Sequence, residues 1–499
     1  MATHAVGHIE TGDKGLKSGV LGYMSNLVIG VASTAPAYSL AATLGFVVAV
    51  NGVGVHAPAV LIASFVPIFF VALAYRYLNR ADPDCGTTFA WTTRAFGPWV
   101  GWLNGWAIVV ADIIVMASLS VIAAQYTYLL VGWNSAENST VGILVAAVIW
   151  IVIMTWICYR GIELSARTQQ FLLGAEIVIL AAFAVAALVE VYAGHHAGAL
   201  RVSASWFNPA GISFGALADG VLLGIFIYWG WDSGVAVNEE SHDANEGPGR
   251  AAVMSTLLLV LVYVVVSVAA QAYGGTHLLE QNSNDVLSVL GTKVFGSPWD
   301  KLLIIAVLTS ASASTQTTIL PTARTTLSMA RWGAIPSLFG RVHSRYLTPT
   351  WSTLGMGAVS IVWTVLIVAF NPAQDVLGDS ITALGFSVCF YYGFTGIASA
   401  VYFRREFRKS LRALLLKGLA PLAGGAMMFY VFAKAFHDYS QKGAGYAHPL
   451  FGIQIPIVIG IGGLLLGVPL MLLAAVWLRQ FFGRSTEVAP EEVAFESAV

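Results

Sequence analysis

The sequence predicts an all-α integral membrane protein with twelve transmembrane helices. Two blocks of five form an inverted repeat, two further helices follow, and the first and sixth helices are discontinuous. Three observations predict this. Of 499 residues, 57% are hydrophobic and 10% charged, with mean hydropathy +0.75, whereas a soluble globular chain is about 25% charged. Twelve apolar runs succeed one another, each long enough to cross a bilayer core of roughly 20 helical residues. Two of those runs are interrupted, at Gly30-Val-Ala-Ser-Thr-Ala-Pro36 and at Tyr228-Trp-Gly-Trp-Asp-Ser-Gly234.

The runs fall near residues 19–51, 55–78, 98–131, 140–160, 166–194, 211–238, 250–273, 299–330, 351–370, 376–402, 413–437 and 451–480. With a cytoplasmic N-terminus, twenty of the 25 Lys and Arg residues fall on the inner side. Only Arg201, Lys293, Lys301, Lys434 and Lys442 fall outside, the bias that sets membrane orientation. Residues 1–18, with Glu10, Asp13, Lys14 and Lys17, are too polar for a signal peptide, so the first helix acts as its own insertion signal. The interrupted runs are the first and the sixth, each opening a block of five. An odd number of spans per block inverts the second copy. The expected organisation is a cytoplasmic tail (1–18), a first repeat (19–194), a second repeat (211–402), two more helices (413–482) and a cytoplasmic tail (483–499) that is acidic at Glu487, Glu491, Glu492 and Glu496.

The composition excludes several function classes. A net charge of −1 gives no footprint for nucleic acid. Cys85, Cys158 and Cys389 form neither a disulfide framework nor a ligand cluster, and no metal site is expected. There is no P-loop and no GxSxG. His4, His8, His56, His195, His196, His242, His277, His343, His437 and His448 all fall in tails, loops or segment ends, so no His–carboxylate pair sits at membrane depth. An enzyme is not expected, and oligomeric state is left open.

The interruptions carry the chemistry. Pro36 removes a backbone donor and clashes with the preceding turn, which breaks or kinks the helix. Within hydrocarbon such a break persists only where the freed N–H and C=O groups face a cavity or a ligand. Paired breaks at corresponding places in two halves mark the central site of a transporter; the plainer alternative is a kink satisfied by neighbouring helices. Half-helix N-termini suit an anionic group and exposed carbonyls suit an ammonium, so an amino acid zwitterion fits with its carboxylate toward the first break. Candidate substrate-binding residues are Val31, Ala32, Ser33, Thr34 and Ala35 at the first break and Tyr228, Trp229, Gly230, Trp231 and Asp232 at the second. Asp232 either contacts substrate ammonium or a proton, or caps the half-helix that follows. The aromatic residues beside it gate the pocket, stack on an ammonium, or simply pack. In the third segment, Asp112 and Met116 join the candidates. Asp112, Glu176 and Asp232 lie at depth with no Lys or Arg at similar depth. Together they suggest a cationic partner or protons, although each alone could be a protonated acid bonded to a neighbouring helix.

Four stretches resemble the amino acid–polyamine–organocation superfamily, whose members have the LeuT-type fold. They are the broken first helix from Ile29-Gly30 to Ala37, the run Phe226 to Glu240 with Trp229-Gly-Trp-Asp232 and Glu239-Glu240, the run Gly161-Ile-Glu-Leu-Ser-Ala-Arg-Thr-Gln169, and Pro321-Thr-Ala-Arg324 through Met329-Ala-Arg331 and Pro336 to Thr348-Pro349. Their order and spacing span most of residues 19–402. The chain departs from the pattern where family glycines give way to Ser33, Thr34 and Ala35, and where Glu176 stands in place of a common lysine thought to serve proton coupling. The resemblance implies that the eighth helix, with Ser310, Ser312, Ser314, Thr315, Thr317 and Thr318, lines a cation site beside the first break; close helix packing is the alternative. Candidate coupling residues are therefore Glu176, Ser312, Thr315 and Asp232. The implied function is secondary active transport of a small molecule by alternating access in a bacterial-type cytoplasmic membrane. The expected substrate is an amino acid taken up with protons, with sodium as the other ion, an amine or polyamine as the other substrate, and no cofactor.

Overall fold

The computed structural model describes residues 14–194, 198–370, 373–441 and 449–483, through the backbone alone at 370 and 373–377. The acidic tail, Arg484, Lys442 and His4, His8, His195, His196 and His448 lie outside the described residues. Twelve helices are long and apolar enough to cross a membrane: Tyr23–Ala49, Gly54–Ala81, Pro98–Val131, Thr140–Arg160, Ile162–Ala193, Phe214–Ala236, Gly247–Gln281, Lys301–Arg331, Thr350–Ala369, Gly378–Tyr402, Leu411–Tyr439 and Ile457–Trp477. They are numbered here as spans 1 to 12. Each overlaps its predicted run. Two shorter helices were not predicted, Thr88–Phe96 after span 2 and Val286–Phe295 after span 7. Both are under three turns and lie between the predicted runs.

The packing has the pseudo-twofold pattern of an inverted repeat. Adding five to a span number converts one contact into another. Span 1 packs on spans 5 and 7, as span 6 packs on spans 10 and 2. Span 3 packs on spans 4, 9 and 10, as span 8 packs on spans 9, 4 and 5. The mates 2 and 7, 3 and 8, and 4 and 9 touch one another directly, and the two short helices occupy equivalent places after spans 2 and 7. Span 11 packs on spans 2 and 10, outside this symmetry. The apolar windows of spans 1 and 12 are 94% and 22% buried, respectively, which makes span 1 an axis of the core and leaves span 12 to lipid.

On the face where the described chain begins, a polar seam closes the bundle. The Val20 and Leu21 amides donate to the Glu240 carbonyl at 2.9 and 3.0 Å, and the His242 amide donates to the Leu21 carbonyl at 2.9 Å. Lys14 is buried between Asp84, at 3.0 Å, and Glu239. The ligating atoms of Asp84, Cys85 and Glu239 converge closely enough to hold a metal ion, but the Lys14 ammonium bonds to both carboxylates. Burial alone would lower the Lys14 ammonium, but the acidic groups around it, Cys85, Asp84 and Glu239, hold it well above its ordinary range. Burial likewise opposes ionisation of Asp84, yet Lys14, the Ser328 hydroxyl and the Gly86 amide keep it below the usual carboxylate range. Deeper in the seam, Arg324 is fully buried and donates to both Glu240 oxygens at 2.9 Å.

Candidate functional site

The first break lies near the middle of span 1. The helix Tyr23–Ser33 ends at Thr34, Ala35 takes a left-handed conformation (φ 47°, ψ 68°), and a new helix runs Pro36–Ala49. A left-handed alanine costs about 1–2 kcal/mol relative to right-handed backbone, so the surroundings must hold it. They do so with hydroxyls. Thr34 donates to the Val31 carbonyl at 2.7 Å, Ser39 to the Thr34 carbonyl at 2.6 Å, and Ser314 of span 8 to the Ser33 carbonyl at 2.8 Å. The new helix exposes two first-turn amides, because Pro36 has none. The Ala37 amide donates to Glu176 Oε1 at 2.7 Å, and the Tyr38 amide to Ser310 Oγ at 3.2 Å. The buried Glu176 Oε2 has no protein partner.

The second break is built differently. Helix Phe214–Tyr228 ends in an extended residue, Trp229, and Gly230 (φ 116°) turns the chain toward a short helical turn, Ser233–Ala236. Gly230 is required here twice over: its φ favours glycine, and a Cβ would sit 2.8 Å from the Ser33 carbonyl oxygen. The two breaks touch at this point. A hydrogen bond of 2.8 Å between the Ser33 and Ser233 hydroxyls also joins them.

Asp232 occupies the position before the short turn but makes no capping bond with its side chain. Its carboxylate instead accepts from three tyrosines: Tyr392 at 2.9 Å on Oδ1, and Tyr391 at 3.2 Å and Tyr75 at 3.3 Å on Oδ2. The capping alternative is therefore set aside, because the side chain turns away from the amides it would cap. The Trp229 indole donates to the Tyr391 hydroxyl. The Trp231 ring meets Tyr75 edge-on at 4.9 Å and stacks on Tyr392 at 5.4 Å, leaving its own buried indole N–H without an acceptor. The result is a carboxylate enclosed by aromatic side chains from spans 2, 6 and 10.

The other candidates distribute unevenly. Val31 and Ala32 are packed in the core beside the break. Tyr228 turns outward from it, donating to the Leu61 carbonyl at 3.1 Å and packing on Tyr263. Asp112 reaches span 8, where the Thr322 hydroxyl donates to it. Met116 is sealed in an apolar cluster with Ile29, Ile319 and Leu320. Ser312 and Thr315 donate to carbonyls four residues back in their own helix, at 2.7 Å each. Ser310 and Ser314 are the hydroxyls of that row that reach the first break. Sequence reasoning did not single out Tyr75, Tyr391 and Tyr392. The adjacent pair at 391–392 was the available signal, since span 10 corresponds by repeat to span 5, which carries Glu176.

The amino acid permease family model matches residues 21–461. The chain belongs to that family. It is thus a member of the amino acid–polyamine–organocation superfamily, a membrane transporter rather than an enzyme. It is 26% identical over 453 residues to the human Asc-type amino acid transporter 1, covering 87% of this chain and 79% of that one. It is 25% identical over 412 residues to the human large neutral amino acids transporter small subunit 2, covering 81% and 71% of the two chains. It is also 21% identical over 371 residues to the low-affinity putrescine importer PlaP of Escherichia coli K12, covering 74% and 78%.

Proposed function

We propose that this permease is a secondary active transporter that takes up an ammonium-bearing substrate, an amino acid or an amine, with protons by alternating access between the two broken helices. Asp232 receives the substrate ammonium. The observation that carries this is the Asp232 carboxylate in the second break, held by three exchangeable phenol donors and, among the described residues, by no Lys or Arg. A buried carboxylate without a basic partner is costly in a membrane interior and marks a functional group. Relatives named for amino acid and putrescine transport support the same substrate range.

Glu176 serves as the coupling group. Its Oε1 accepts the Ala37 amide, while its bare Oε2 is available to carry a proton. The carbonyls of Val31, Ser33 and Thr34 each accept a hydroxyl hydrogen bond, so the break is held by protein groups without a bound cation. The excess of basic residues on the face carrying the polar seam supports placing that face and both termini in the cytoplasm.

Asp232→Asn should abolish uptake in proteoliposomes while the protein purifies and melts much as the wild type does. Uptake at the wild-type rate in that variant would remove Asp232 from the mechanism.

A further inference from the structure

We infer that the substrate is an amine lacking a carboxylate, recognised by its ammonium alone. This rests on the assignment of Asp232 as the ammonium site and narrows the substrate class. A substrate carboxylate needs donors, and those of the first break are already in use. The Thr34, Ala35 and Ser39 amides donate within span 1, at 3.2, 3.1 and 2.8 Å. Pro36 has no amide, and the Ala37 and Tyr38 amides donate to Glu176 and Ser310. The positive end of the second half-helix is thus met by an acid of the protein itself. A substrate anion there would compete with the Glu176 carboxyl for the same first-turn amides.

Charge balance points the same way. Asp112, Glu176 and Asp232 are buried, and among the described residues no Lys or Arg pairs with any of them. Asp112 and Asp232 also lie within electrostatic range of each other. A zwitterion brings no net charge to such a site, whereas an amine brings one or two positive charges. The donor count at Asp232 is suited to this exchange. Three hydroxyls surround the carboxylate, two of them at long distances of 3.2 and 3.3 Å, and a primary ammonium supplies three N–H donors. The rings of Trp231, Tyr75 and Tyr392 pack against one another beside the carboxylate, and an ammonium bound there would gain cation–π attraction from them. Among the buried side-chain nitrogens at the site, the Trp231 indole N–H has no acceptor. That N–H suits a neutral acceptor on the substrate.

Thermal-shift titrations of the purified full chain in detergent would test this with matched pairs: ethylamine with alanine, phenethylamine with phenylalanine, and cadaverine with lysine. The expected result is stabilisation by at least one amine and binding at least about 10-fold weaker for its amino acid, as an unpaired buried carboxylate would impose. The shift should vanish in Asp232→Asn and persist, reduced, in Asp232→Glu, which keeps the charge if the amide variant folds poorly. Equal or tighter Asp232-dependent binding of the amino acids would overturn the amine inference and leave the ammonium assignment standing. If no probe stabilises the wild type, or if shifts are unchanged in Asp232→Asn, the ammonium assignment itself fails.

Discussion

The two broken helices occupy equivalent places in the repeat, and each is covered by the last span of its own block. Their chemistry is reversed. At the first break the covering span supplies an acid, Glu176, which accepts from a backbone amide of the break. At the second the break supplies the acid, Asp232, and the covering span provides donors, Tyr391 and Tyr392. The first break satisfies its carbonyls and amides with protein groups next to it in sequence or on spans 5 and 8. The second holds a carboxylate whose partners are tyrosine hydroxyls of spans 2 and 10. One architecture thus yields a hinge that is internally complete and a site that is not.

Three substitutions probe that contrast. The largest effect is expected from Glu176→Gln. The amide oxygen can still accept from Ala37, so folding should survive, but uptake into proteoliposomes should lose its dependence on an imposed proton gradient. Retained gradient dependence would assign Glu176 to structure and leave the first break without a transport role. Tyr392→Phe should act more moderately. It removes one donor to a carboxylate that keeps two, at a cost of about 1.5–3 kcal/mol in thermal unfolding, and should alter substrate affinity without abolishing transport. Loss of transport equal to that of Asp232→Asn would show that the tyrosines do more than hold the acid. Ser314→Ala is expected to do least: about 1 kcal/mol from one lost neutral hydrogen bond, with uptake and coupling unchanged. A strong transport defect there would mean that the first break is not the passive partner.

Much of this was legible in the sequence. Span length and hydropathy placed twelve helices, Pro36 and Gly230 placed the breaks because they act on the backbone locally, and Asp232 marked the second break by its charge at membrane depth. What could not be read was which side chains meet. Tyr391 and Tyr392 sit in an apolar, aromatic run where nothing local distinguishes a packing ring from a donor to an acid on another helix. Span 8 is polar around much of its circumference, so sequence gives the presence of its hydroxyls but not their phase: Ser310 and Ser314 face the break, whereas Ser312 and Thr315 bond within their own helix. Tyr228 and Met116 adjoin the right residues in sequence but turn to other helices. Lys14 looked like part of a polar tail because its partners, Asp84 and Glu239, are far away along the chain.

The polar seam has a practical corollary for anyone who wishes to watch this protein move. Cys85 lies within it, with its amide on Glu239, whose carboxylate also holds Lys14, while Cys158 and Cys389 are sealed elsewhere in the helices. All three native thiols are shielded in this conformation, which sets a low background for alkylating reagents. Labelling of Cys85 by a membrane-impermeant maleimide would therefore time the parting of the seam, with no engineered cysteine and no attached dye to disturb it.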